Sequence, residues 1–154
     1  MKKTLFDTEF QRLTTEMVEV AFEYIGFNKE EVDGIYIYGS MEQGIFFYNV
    51  FYKINHQLVK KEKVNDVLTN KVDDSDKIIR ALLSFGGEAL MDLSDVFTDD
   101  SREVPTLLKM VYRPKTGGFN CDILYDPQYS DHETKTNTEG FNDWFNQEKQ
   151  QQNN

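Results

Sequence analysis

Apolar residues recur along this chain at two spacings, and the switch between them separates helices from strands. Over residues 8–25 they fall at Phe10, Leu13, Met17, Ala21 and Tyr24, with Phe6 just ahead. Steps of three and four place these side chains on one stripe of an amphipathic helix. Thr8 with Gln11 has the spacing of an N-terminal capping box, Thr4 with Asp7 competes as the start, and Gly26 supplies a stop. After a polar connection at 28–33 the period falls to two. Residues 35–38 predict a strand, 39–44 a loop, and 45–54 a longer strand. One face of the longer strand is Phe46, Tyr48, Val50, Tyr52 and Ile54. The other mixes Asn49 and Lys53 with Ile45, Phe47 and Phe51, so it is only partly wet and offers aromatic rings to a helix or a partner.

Asn55 and His56 can turn the chain into a short third strand at 57–60, whose lysine suits a sheet edge. Val64, Val67, Leu68 and Val72 fit a short helix. Asp73, Asp74, Ser75 and Asp76 then provide N-caps for a second long helix over 75–97, carrying Ile78, Ile79, Leu82, Leu83, Leu90, Leu93 and Phe97. Gly86 and Gly87 in its middle cost about 1 kcal/mol each relative to alanine, so a neighbour in close approach is the expected reason for them. Residues 105–126 form the clearest hairpin signal: two apolar arms around Arg113-Pro114-Lys115-Thr116-Gly117-Gly118. In its second arm Phe119, Cys121, Ile123 and Tyr125 share one face, expected to be buried. Asn120, Asp122 and Asp126 share the other, wet face with Leu124. A polar stretch at 127–137 leads to Phe141, Trp144 and Phe145, spaced for a short docking helix starting near Thr138. The Gln/Asn-rich residues 147–154 are expected to fray as a disordered tail. The order α-β-β-(β)-α-β-β-α predicts one α+β domain over 1–146, an antiparallel sheet of four to five strands with helices mainly on one face.

Composition adds direction to this frame. The 154 residues hold 27 Asp plus Glu against 17 Lys plus Arg, a formal charge of -10. A field of that sign opposes direct binding to nucleic acid or anionic membranes and favours a basic partner. Cys121 is the only cysteine, so no intramolecular disulfide can form and a reducing cytoplasm is the expected compartment. Neither a leader-like apolar start nor a membrane-length apolar run occurs in the sequence.

Chemistry is sparse. His56 and His132 both lie in polar, turn-like segments, Cys121 reads as a core thiol, and neither glycine pair has the form of a phosphate loop. Asp122, Asp126, Asp131, His132 and Glu133 are the best candidate metal ligands, because hard cations take carboxylate oxygens and histidine admits transition metals. Their spacing matches no known metal loop, and neither a cofactor nor an enzyme activity is expected. Acidic side chains gather instead at Asp73, Asp74 and Asp76 before the second helix and at Asp99, Asp100 and Glu103 after it, with Asp92 and Asp95 in its last turns. The later group stands against the helix dipole. These six, or Asp122 and Asp126 on the wet face of the hairpin with Tyr36 or Phe47 nearby, are the candidate partner-binding residues.

The layout resembles the YezG-like immunity proteins, small acidic bacterial antitoxins. The resemblance is carried by the amphipathic first helix, the aromatic strand Gly44-Ile45-Phe46-Phe47-Tyr48, and the turn into Lys63-Val64-Asn65. The Leu-rich helix, the Pro105-Thr106 start of the last hairpin, its arm Gly118-Phe119-Asn120-Cys121-Asp122-Ile123-Leu124-Tyr125-Asp126, and the aromatic segment 141–145 continue it. The Gly86-Gly87 pair and the lack of an aromatic after Pro105 depart from the family pattern. The resemblance implies a protein that binds and neutralises a cognate polymorphic toxin, contact-dependent or secreted, with a nuclease the expected class, by covering its basic active-site surface. Two other classes stand beside it: a small metal-dependent hydrolase using Asp122, Asp126 and His132, and an acidic adaptor or chaperone-like protein.

Overall fold

Thr4 opens the first helix, α1 (Leu5–Tyr24), in a computed structural model that describes residues 4–129 and 136–152. The Thr4 hydroxyl accepts from the Asp7 amide at 3.1 Å and the Asp7 carboxylate accepts from the Thr4 amide at 3.3 Å. This reciprocal pair satisfies two end groups of the helix, and so the helix begins there rather than at Thr8. Gly26, at φ +70°, ends it. Then come β1 (Val32–Ser40), a 3-10 turn (Glu42–Gly44), β2 (Phe47–Ile54), β3 (Gln57–Lys60) and a second 3-10 turn (Lys61–Asp66). The chain closes with α2 (Asp76–Asp99), β4 (Leu107–Arg113), β5 (Gly118–Leu124) and α3 (Asn137–Gln152). The strands form one antiparallel sheet in the order β3-β2-β1-β4-β5. Ile37 of β1 sits between Val50 of β2 and Met110 of β4. The fold is α+β, with the predicted hairpin in place.

Two helices share one face of the sheet. α1 packs on α2 and on β1, and α2 packs on β2, over a core that includes Leu13, Met17, Ile35, Ile37, Val50, Leu90, Leu93 and Met110. Two tyrosines of β2 tie this layer to the sheet. Tyr48 Oη donates to the Met17 carbonyl at 2.8 Å and Tyr52 Oη to the Ala21 carbonyl at 2.7 Å. Burial raises the pKa of both phenols, so they stay protonated and able to donate. The Tyr48 ring lies against Gly86, where any Cβ would collide with it, whereas a Cβ at Gly87 would meet nothing within 4 Å. Close approach thus accounts for the first glycine and α2 runs unbroken through both.

α3 lies on the opposite face. Phe141, Trp144 and Phe145 cover Tyr38, Phe51, Leu58 and Leu107. Phe51 is the hub: it stacks on Tyr36 at 4.5 Å between centroids and meets the edges of Trp144 at 5.0 Å and Phe145 at 5.2 Å. The aromatics on the second face of β2 therefore meet a helix. α3 also continues to Gln152, through residues expected as tail, because docking of its first half fixes the register in which the polar second half propagates.

Several local expectations give way to tertiary contacts. β1 extends through Ser40, since Gly39 and Ser40 pair with β2 and with β4, and β2 starts at Phe47 instead of Ile45. The helix predicted from Val64 onward is instead the 3-10 turn and an open segment. Asn65 holds that segment by bonding the amide and the carbonyl of Val72. On β5 the predicted inward face does point toward the α1–α2 side, yet Phe119 is 44% and Ile123 40% exposed. Cys121, expected as a buried core thiol, packs against the core but is only half-buried. The cause is reach: the helices sit over β1 and β2 and leave the β5 edge open.

Candidate interaction surface

Of the nucleophile and metal candidates, Cys121, His56, Asp122 and Asp126 lie among the described residues. The Cys121 thiol is pushed up to about 11, by burial first and by Asp122 second, so it is protonated at neutral pH and a poor nucleophile. His56 is an exposed residue of the β2–β3 turn, its amide donating to Asp33 Oδ2 at 2.7 Å. Burial opposes ionisation of Asp33, but Lys115 Nζ at 2.6 Å from Oδ1 and the His56 amide outweigh it and lower the Asp33 pKa. That carboxylate pins the β4–β5 turn to the start of β1. Asp122 and Asp126 are exposed at and beyond β5, while Asp131, His132 and Glu133 lie outside the described residues. Among the described residues no three His, Cys, Asp or Glu side chains are grouped to hold a metal. Among the same residues no helix is long and apolar enough to cross a membrane.

Two buried carboxylates hold loops in place. Glu31 accepts from Asn28 Nδ2 at 2.6 Å, Asn55 Nδ2 at 3.0 Å, and the amides of Thr69 at 2.7 Å and Asn70 at 3.1 Å. These bonds, the Thr69 amide foremost, lower its carboxyl from the ordinary 4.5 to about 2. Glu42 accepts from the amides of Gln128 at 2.6 Å and Tyr129 at 3.1 Å, which anchors the chain after β5 beside the end of β1. Neither residue stands out in the sequence, because each sits in a polar connection and, Asn28 apart, the partners named come from distant segments.

The surface carboxylates do form a pattern. Asp73, Asp74, Asp76, Asp99, Asp100, Glu103, Asp122 and Asp126 are all exposed. Asp73 accepts from the Ser75 amide at 3.0 Å, a bond that lowers its pKa and turns the chain just before α2, whose N-cap Ser75 makes no side-chain capping bond. Asp100 bonds Arg102 at 2.6 Å, and that guanidinium lies 3.7 Å from the Phe6 ring. The two acidic groups sit at opposite ends of α2, about 36 Å apart for a helix of 24 residues. The ground between them is acidic too. α1 carries Asp7, Glu9, Glu16, Glu19 and Glu23 against Arg12 alone, and Arg12 bonds Glu9 and Glu16. α2 carries Asp76, Glu88, Asp92, Asp95 and Asp99 against Lys77 and Arg80. With Asp73, Asp74, Asp100 and Glu103 at its ends, and Arg102 on Asp100, this layer holds fourteen acidic and four basic residues. The difference of ten equals the formal excess of the whole chain, so the remainder is balanced. Asp122 and Asp126 belong to the β5 edge, not to this layer.

Apolar side chains break the acidic surface. Phe85 and Met91 are 59% and 50% exposed on α2. A groove of about 400 Å³ between the helices is lined by Val20, Ile78, Ala81 and Phe85, with Glu23 and Asp73 at its rim. Sequence reasoning passed over Phe85 and Met91, although a signal existed: they are apolar residues of α2 that fall off its buried stripe. No protein-family model matches the chain, and no curated protein matches it.

Proposed function

We propose that this chain is an immunity protein that binds and neutralises a cognate bacterial toxin, a nuclease by class, by covering its basic active-site surface in the cytoplasm. The observation that carries the reading is the concentration of the full charge excess of -10 on the α1–α2 layer. A nuclease must hold a polyanion, so its cleft is basic, and an acidic layer of this extent steers toward it and raises the association rate. Phe85 with the groove it lines, and Met91, supply apolar area for slow dissociation. The resemblance of the sequence layout to YezG-like immunity proteins points the same way, and no catalytic residue is required by it.

The test is to mix the purified chain with the toxin domain encoded by the adjacent gene. The expected results are a stable complex, loss of toxin activity, and an association rate that falls steeply as salt rises. A toxin that neither binds nor loses activity overturns the reading; binding with a flat salt dependence removes the steering by the acidic layer.

A further inference from the structure

The two edges of the sheet are finished differently. β3 is four residues long, its Lys60 bonds Asn142 of α3 at 2.6 Å and lies over the Phe145 ring, and the chain turns at once into the second 3-10 turn. Such shortening and covering discourage pairing with another chain. β5 has none of these devices. It offers seven residues, Gly118–Leu124, with no proline or lysine, no register shift against β4, and both Phe119 and Ile123 well exposed.

We infer that β5 pairs antiparallel with β5 of a second copy of this chain, about a two-fold axis at Cys121, joining two five-stranded sheets into one of ten strands. Three features select a second copy as the occupant. First, the strand is complementary to itself: about this axis all seven residues pair, and Phe119 falls opposite Ile123 of the partner subunit on the same face, each covering the other. Second, Asn120 falls opposite Asp122 of the partner subunit, an amide donor against a carboxylate. Moving the axis one residue toward the C-terminus would set Asp122 against its own copy, and like charges directly opposite are unfavourable. Third, Arg113 is exposed at the turn end of the hairpin and Asp126 is exposed just beyond the other end of β5. Antiparallel pairing brings each cationic turn beside Asp126 of the partner subunit. The contact is small, so the dimer forms in a concentration-dependent way. It is centred on the β5 edge, and its test needs no toxin, so its failure is distinguishable from that of the toxin-binding reading.

Sedimentation velocity of the full chain, over a wide concentration range, is the test. The expected result is a shift from one toward two copies of the 18.1 kDa chain, with amide-exchange protection of residues 118–124 rising in step. Phe119→Lys/Ile123→Lys, which sets lysine against lysine twice, should abolish the dimer. Phe119→Lys/Ile123→Glu, which sets lysine against glutamate twice, should restore it. A wild-type chain that stays monomeric at its highest attainable concentration overturns the inference. So does a dimer in which residues 118–124 gain no protection, or one that both double variants leave intact; the protection measurement needs no variant and decides the matter if either variant misfolds.

Discussion

At the scale of single residues, two glycines adjacent in sequence have opposite meanings. Gly86→Ala drives a methyl group into the buried Tyr48 ring and should destabilise the fold by about 1–3 kcal/mol. Gly87→Ala meets nothing within 4 Å and should stabilise it by about 0.5–1 kcal/mol, since alanine removes the entropic penalty of glycine inside a helix. Urea denaturation of both variants checks the pair; equal effects would mean that Tyr48 does not set the distance. Glu31 makes a second prediction. Its folded carboxyl is held at about 2 against an ordinary 4.5. A depressed folded pKa contributes stability that is fully present above 4.5 and is lost as the pH falls toward 2. Acid unfolding should therefore steepen in that window, and Glu31→Gln should flatten it while lowering stability at neutral pH. The glycine pair was visible in the sequence as an anomaly within a helical pattern. Glu31 was not visible, because three of its four partners, Asn55, Thr69 and Asn70, lie on segments that only the fold brings together.

At the scale of elements, the aromatic second face of β2 is explained by α3. Phe51 touches Tyr36, Phe141, Trp144 and Phe145, so Phe51→Ala should cost about 3–5 kcal/mol. Because Trp144 is the only tryptophan, its fluorescence reports directly on whether α3 is docked. Phe51→Ala should shift that emission to the red at denaturant concentrations where the wild-type emission is unchanged. Periodicity was enough to locate α1, α2, the long strand and the hairpin, since each has a buried face repeating at its own period. It failed where burial is set by reach rather than by pattern. Phe119, Cys121 and Ile123 alternate as an inward face should, but α1 and α2 stop short of the sheet edge that carries them. The segment at 64–72 failed for another reason: side-chain bonds from Asn65 and Glu31 satisfy its backbone in a non-helical path.

At the scale of the whole molecule, the charge is distributed unevenly enough to predict which surface meets a basic partner. If the proposed immunity function holds, reversing Asp92 and Asp95 to lysine, both exposed on α2, should lower the association rate with the proposed toxin partner by about tenfold at low salt. Reversing Asp122 on β5 should leave that rate nearly unchanged; stopped-flow measurements that rank the two the other way would move the contact to the hairpin. By itself the sequence determined most element types, the antiparallel α+β class and the sign of the charge. These follow from short-range periodicity and from composition, which need no knowledge of which segments touch. Tertiary structure alone decided that α3 takes the opposite face from α1 and α2, that the acids of both helices and of the segments flanking α2 gather in one layer holding the net excess, and that β5 is left as an open edge. Each of these depends on contacts between segments far apart in the chain, and no local pattern encodes how far a helix reaches across a sheet.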